Sequence, residues 1–235
     1  MQKLYRGVRE LLINGWAWVL DYLYVSFWQV YGFFVRSDAK KYKSGLASKP
    51  HILLIPGIYE NWRFMKPIAD MLHKKGYRVH IVSALGYNTG GIETMADIVL
   101  SYLKESALQD FIIVAHSKGG LIGKHLLLSF PSLRIGGMVT LNTPFAGSPY
   151  AHLFPMRGIR IFLPNSPTLT SLAENTIINK KIVSIYGIFD PHIPQGSFLD
   201  GANNVQLRTR GHFRIMSNAE VHSAVLQGIA YLTKK

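Results

Sequence analysis

The stretch FIIVAHSKGGLIGKHLLL, residues 111–128, decides the fold. Its first six residues form a nearly continuous apolar run, the pattern of a strand buried on both faces of a sheet. The run stops at Ser117, and helical spacing begins at once. A strand that turns directly into a helix forces tight backbone angles at the apex. Bulky side chains two positions before and after would strike the neighbouring strands, and Ala115 and Gly119 meet that need. Such a turn exposes the serine hydroxyl and aims the first amides of the next helix at any negative charge formed beside it.

Working outward, the chain alternates. HILLIP, from His51, reads as a short buried strand, and residues 61–75 carry apolar positions at helical spacing closed by Gly76. YRVHIVSAL reads as a strand, residues 92–108 as a helix, and IGGMVTL, KIVSIYGI and NNVQLR as three more strands. A last helix is expected over roughly Asn218–Leu232. Six strands interleaved with helices predict an α/β domain over residues 51–235, with a mostly parallel sheet covered on both faces. In such sheets, sites form at the carboxyl ends of the strands. Residues 144–178 break the rhythm with several prolines among apolar residues. They are expected to form either a lid and acyl-binding wall or a packed crossover.

The first fifty residues differ in kind. Residues 11–35, LLINGWAWVLDYLYVSFWQVYGFFV, hold three of the four tryptophans and a single charge, Asp21. As a helix the segment would be roughly 38 Å long, more than the hydrocarbon thickness of a bilayer requires. Its Leu, Ile, Val and Phe residues each favour insertion by ~0.3–0.6 kcal/mol, against ~3 for Asp21 near the centre, so the sum lies near zero. The aromatics run through the middle rather than the ends. Glu10, Asn14 and Asp21 share one narrow helical face. Membrane attachment is therefore expected, by a single pass or by a helix lying in the headgroup region. The alternative is a helix docked on the protein through its polar seam. Basic residues flank both ends, and residues 36–50 read as a basic linker ending in Pro50.

The composition narrows the function classes. The chain has 235 residues, 48% hydrophobic and 17% charged, enough for a sizeable core. With no cysteine, disulfides, thiolate nucleophiles and cysteine zinc sites are excluded. The net charge of +13 suits either an acidic membrane surface or a scattered charge that only solubilises the chain. No zinc-finger spacing, RNP-type sequence or dense basic helix points to nucleic acid.

A serine hydroxyl is a weak nucleophile. It needs a histidine base, and that base needs a carboxylate to fix its tautomer. Asp190 lies two residues past the apolar run of KIVSIYGIFDPHIP, and His212 stands beside Gly211 shortly after the last strand. Asp200 is a reserve acid that also reads as turn chemistry. His116 reads as a packing residue, and His222, inside the last helix, as packed or solvated. His192 has no neighbours at metal-ligand spacing, so no catalytic zinc is expected.

LLIPGIYENW, VAHSKGG, TLNTPFAGS, SIYGIFDPHIP and LDGANNVQLRTRGHFRI follow one another in an order that resembles the α/β-hydrolase lipases and esterases, above all the compact bacterial triacylglycerol lipases. The resemblance covers about residues 51–232. It implies the α/β-hydrolase fold, with Ser117 as nucleophile, His212 as base and Asp190 as its orienting acid. It implies an oxyanion hole from the backbone N–H groups of Ile58 and Lys118. It implies hydrolysis of carboxylic esters, of lipid or acylglycerol type, without a cofactor. The same site would also serve an acyltransferase or thioesterase, and a silent, membrane-tethered module is a rival of another class. Pro56 departs from the histidine these lipases carry before the glycine. Lys118 departs from their Met, Leu or Gln, and is expected either to favour an anionic head group at the mouth or to point to solvent.

Overall fold

The computed structural model describes residues 2–34 and 38–234. Val35 and the first two residues of the expected linker lie outside them. Six strands form one sheet: β1 (His51–Ile55), β2 (Arg78–Ile81), β3 (Phe111–His116), β4 (Ile135–Leu141), β5 (Ile182–Phe189) and β6 (Asn203–Arg210). Every pairing is parallel, in the order β2-β1-β3-β4-β5-β6. The helices are α1 (Gln2–Phe34), α2 (Lys66–Lys74), α3 (Ile92–Glu105), α4 (Lys118–Ser129), α5 (Arg157–Arg160), α6 (Pro167–Glu174) and α7 (Ala219–Thr233). This is the α/β-hydrolase arrangement expected from the sequence, with a helix ahead of it.

Alternation along the strands divides the core in two. Leu53, Ile55, Ile113 and Ala115 face α3 and α4. Ile52, Leu54, Ile112 and Val114 face the opposite layer with α2 and α7. Asn218 caps α7 by accepting from the amides of Glu220 and Val221, which starts that helix where the sequence placed it. The strand order reverses between β1 and β3. A crevice opens there at the carboxyl ends of the strands. The loop after β1 and the turn after β3 both end in it.

The turn is as tight as its sequence demanded. Ser117 sits at φ 49° and ψ −121°, backbone that costs a non-glycine residue energy and recurs at functional sites. A Cβ on Gly119 would lie 2.2 Å from the Ile55 carbonyl oxygen. That oxygen belongs to β1 and cannot swing aside. Gly119→Ala is therefore expected to destabilise the fold by about 3 kcal/mol or more, through forced backbone shifts. A urea-denaturation midpoint equal to that of the wild type would contradict this.

Residues 39–43 of the expected linker make a 3₁₀ turn whose Tyr42 is fully buried and donates to Asp70 at 2.6 Å. A bulky aromatic packed against Trp62 and His73 ties this segment to the domain.

Among the described residues, no helix is long and apolar enough to cross a membrane. Helix α1 instead lies against the domain with its polar seam inward. Asp21 is fully buried. Asn14 and Glu10 accept from Arg210, Glu10 at 2.9 Å. The opposite side carries Leu12, Trp16, Val19, Leu23, Phe27 and Val30, each more than half exposed. Their spacing of three and four keeps them on one stripe. Among soluble helices the polarity is usually the reverse.

Candidate active site

The structure brings Ser117, His212 and Asp190 together from three carboxyl-terminal strand ends. His212 Nε2 lies 3.0 Å from Ser117 Oγ, and His212 Nδ1 lies 2.7 Å from Asp190 Oδ2. All three side chains are buried. Asp190 Oδ1 accepts from the amides of His192 and Ile193 at 2.7 and 3.0 Å, so both carboxylate oxygens are engaged. Burial opposes ionisation of Asp190, but the His212 ring and the His192 amide outweigh it and hold the carboxyl below its ordinary range. Burial likewise disfavours a charged His212, and the attraction of Asp190 overcomes it, so the imidazole titrates above its ordinary range.

Ile58 and Lys118 stand just past the ends of the neighbouring strands β1 and β3. Ile55 pairs with Ala115 in the sheet, and each of the two amides stands three residues further on. Lys118 N belongs to the first residue of α4, so it adds the helix N-terminus to its own dipole. The Lys118 side chain does not do what the sequence suggested. It is fully buried, and its ammonium donates to the carbonyls of Asn88 (2.7 Å) and Gly90. Burial pushes its pKa down to about 8. The long stem follows the cleft between α4 and the loop ahead of α3, and ties that loop down.

Two residues missed by sequence reasoning brace the crevice from below. Glu60 is buried, accepts from the Gly57 amide at 2.8 Å, and meets His116 Nδ1 at 2.8 and 2.9 Å through its two oxygens. His116 Nε2 lies 3.0 Å from the His212 carbonyl. The loop after β1 and the loop of His212 are thus joined through one ring, so His116 is more than packing. Asn142 donates to the carbonyls of Gly211 (3.0 Å) and His212 (3.2 Å) and accepts from the Gly187 amide. Its only sequence signal is Asn after a strand, too common to single out. Thr143 Oγ1 donates to the Ser117 carbonyl at 3.0 Å.

The remaining candidates lie elsewhere or act differently. Asp200 is exposed, with its carbonyl accepting from Asn179. His222, in the first turns of α7, places Nε2 2.7 Å from the Met216 carbonyl in the 3₁₀ turn ahead of that helix. His192 packs its ring 5.0 Å from His212 and 5.1 Å from Phe213, and burial lowers its pKa to about 4. Among the described residues, no group of three or more His, Asp or Glu is placed to hold a metal ion.

Above Ser117 and His212 opens a cavity of about 270 Å³ with largely apolar walls. Residues 144–178 supply Pro144, Ala151, Phe154, Ile159 and Phe162 to it. The opposite wall comes from α1, through Tyr22, Val25 and Gln29. Gln29 donates to the Tyr59 carbonyl at 2.9 Å, and Tyr22 packs on His192 at 5.8 Å. The N-terminal helix therefore shapes the mouth of the crevice.

The family described as alpha/beta hydrolase fold matches residues 50–171, just over half of the chain. The chain belongs to this family. No curated protein matches it. Solved structures of the alpha/beta hydrolase fold resemble it at low identity. A lipase from Bacillus licheniformis in its mature form aligns with a TM-score of 0.61 at 13% identity, over 79% of this chain and 94% of that one. A metagenomic carboxyl esterase aligns at 0.63 and 15% identity, over 81% and 77%. The monoacylglycerol lipase of Paleococcus ferrophilus aligns at 0.55 and 14% identity, over 78% and 96%. At these identities the likeness is one of fold. Helix α1 precedes the residues matched by the family.

Proposed function

We propose that this alpha/beta hydrolase cleaves carboxylic esters of lipid or acylglycerol type through Ser117, His212 and Asp190. The observation that carries the proposal is the unbroken chain of short contacts from Asp190 through the His212 ring to the Ser117 hydroxyl. In this reading His212 Nε2 takes the Ser117 proton as Oγ attacks the ester carbonyl. The Ile58 and Lys118 amides donate to the oxyanion. His212 then protonates the leaving alcohol, and water releases the acyl group by the reverse path. Asp190 stabilises the imidazolium without taking its proton. The kinship with compact triacylglycerol lipases belongs to the same proposal.

The apolar cavity and the outward stripe of α1 favour a lipid substrate. Leu12 through Val30 spans about 27 Å at 1.5 Å per residue, and α1 also walls the cavity. A lipid surface taken up by that stripe would lie beside the mouth. Exposed Arg6, Arg9, Lys41 and Lys43 add cations near the two ends of the helix, as an interfacial helix on acidic lipid requires. The chain is thus expected to hydrolyse p-nitrophenyl esters of medium chain length and to bind anionic phospholipid vesicles. Replacing Trp16 and Leu23 together by Glu should weaken vesicle binding at least about 10-fold, since each buried side chain contributes about 2 kcal/mol. Undiminished vesicle binding by that variant would remove the membrane reading. Absence of ester hydrolysis by the wild type across acetyl to palmitoyl chains would remove the catalytic one.

A further inference from the structure

The loop that carries His212 is held from outside the sheet by a carboxylate of the N-terminal helix. Asp21 Oδ2 accepts from the His212 amide at 2.8 Å, and Asp21 Oδ1 accepts from the amides of Phe213 and Arg214, each at 2.8 Å. Three successive amides converge on one fully buried carboxylate. A buried charge without hydrogen bonds is costly, and bonds from amides to an ionised carboxylate are among the stronger ones. The backbone on the other side of His212 is equally bound, its carbonyl meeting His116 Nε2 and Asn142 Nδ2. Both peptide groups flanking the histidine Cα are therefore fixed, and with them the direction of its ring. The sequence accommodates the approach of α1. Gly211 has φ +112°, and a Cβ there would lie 2.7 Å from Asp21 Oδ1. The one charge within the apolar stretch 11–34 of α1 thereby acquires a purpose.

We propose that Asp21 is a positioning residue for the general base, so that α1, outside the span matched by the family, completes the active site. The inference rests on His212 being that base. Asp21 touches neither substrate nor reacting atoms. It sets the distance from the imidazole to Ser117 Oγ, and its charge faces the same ring. The other charged and titratable groups facing that ring are Asp190 on the loop after β5, Glu60 on the loop after β1, His116 on β3 and His192.

The test uses the full chain with Asp21→Asn, which keeps the shape, removes the charge and turns an N–H₂ toward amide donors. With a soluble p-nitrophenyl ester, kcat should fall about 10- to 100-fold, the penalty of a displaced catalytic group, while KM stays within about 3-fold. The carboxylate favours the charged imidazole, so its loss should also move the acid limb of kcat/KM to lower pH. Glu10→Gln, which loosens α1 at Arg210 without touching the His212 loop, should keep kcat within about 2-fold by the same standard. If Asp21→Asn does not fold, Asp21→Glu carries the test. It keeps the charge but shifts it by a methylene, so kcat should fall with the acid limb unmoved. Wild-type kcat in a folded Asp21 variant, while Ser117→Ala is inactive, overturns the inference and leaves the catalytic reading standing. A wild type that neither turns over the ester nor labels at Ser117 overturns the reading beneath it.

Discussion

Ser117→Ala is expected to lower ester turnover by about 10⁴-fold or more. The hydroxyl lies 3.0 Å from Nε2 of His212, the proposed base, and among the described residues no other serine or threonine hydroxyl is hydrogen-bonded to that ring. Alanine removes the hydroxyl oxygen and, like serine, carries only a Cβ against the unusual backbone at φ 49°. The fold should therefore survive, and thermal unfolding should stay close to that of the wild type. Residual activity well above the uncatalysed rate would be ascribed to the proposed oxyanion donors, the Ile58 and Lys118 amides. Near-normal turnover by pure Ser117→Ala on a p-nitrophenyl ester would remove Ser117 from the chemistry.

Asp190→Asn should cost nearly as much, about 10⁴-fold in kcat. The replacement fits the space, but an amide oriented to satisfy the His192 and Ile193 donors through its oxygen presents its N–H₂ to His212. The imidazole must then accept at Nδ1 and carry its proton on Nε2, where it cannot act as base toward Ser117. The pH profile should change as well. Burial lowers the His212 pKa and Asp190 more than offsets it. Without the carboxylate, the acid limb of whatever activity remains should move to lower pH. A profile unmoved in Asp190→Asn, with kcat within about 10-fold of wild type, would assign the orienting role elsewhere.

The sheet and the three converging side chains were legible because their signals are local. An apolar run ending at Ser117 between Ala115 and Gly119 constrains the turn by sterics alone, and the structure places the Ile55 carbonyl against Gly119. Asp190 and His212 could be found because each follows a strand with a clear pattern. Glu60 and Asn142 could not. Their partners are 56 and about 70 residues away, and nothing in a loop glutamate or asparagine announces such contacts. Lys118 misled for a related reason. A lysine beside a nucleophile reads as exposed, but the two carbonyls that receive it belong to the loop at residues 88–90.

The N-terminal helix lay between these cases. Its polar seam at Glu10, Asn14 and Asp21 was visible from spacing, and so was docking through it. What the seam grips was not visible, since Asp21 meets amides 191 to 193 residues further along the chain. The placement of α1 also accounts for its inverted polarity. The polar side is consumed by the domain, which leaves the aromatic and aliphatic side free for a lipid surface in the proposed reading.

The most direct measurement is labelling by a fluorophosphonate, which reacts only with a serine whose proton has an acceptor and whose developing oxyanion has donors. Treated with the probe and mapped by peptide mass, the wild type should carry one equivalent on Ser117, and His212→Ala should react at least about 10³-fold more slowly. A wild type left unlabelled at that serine, or a His212→Ala variant labelled at the wild-type rate, would contradict the account.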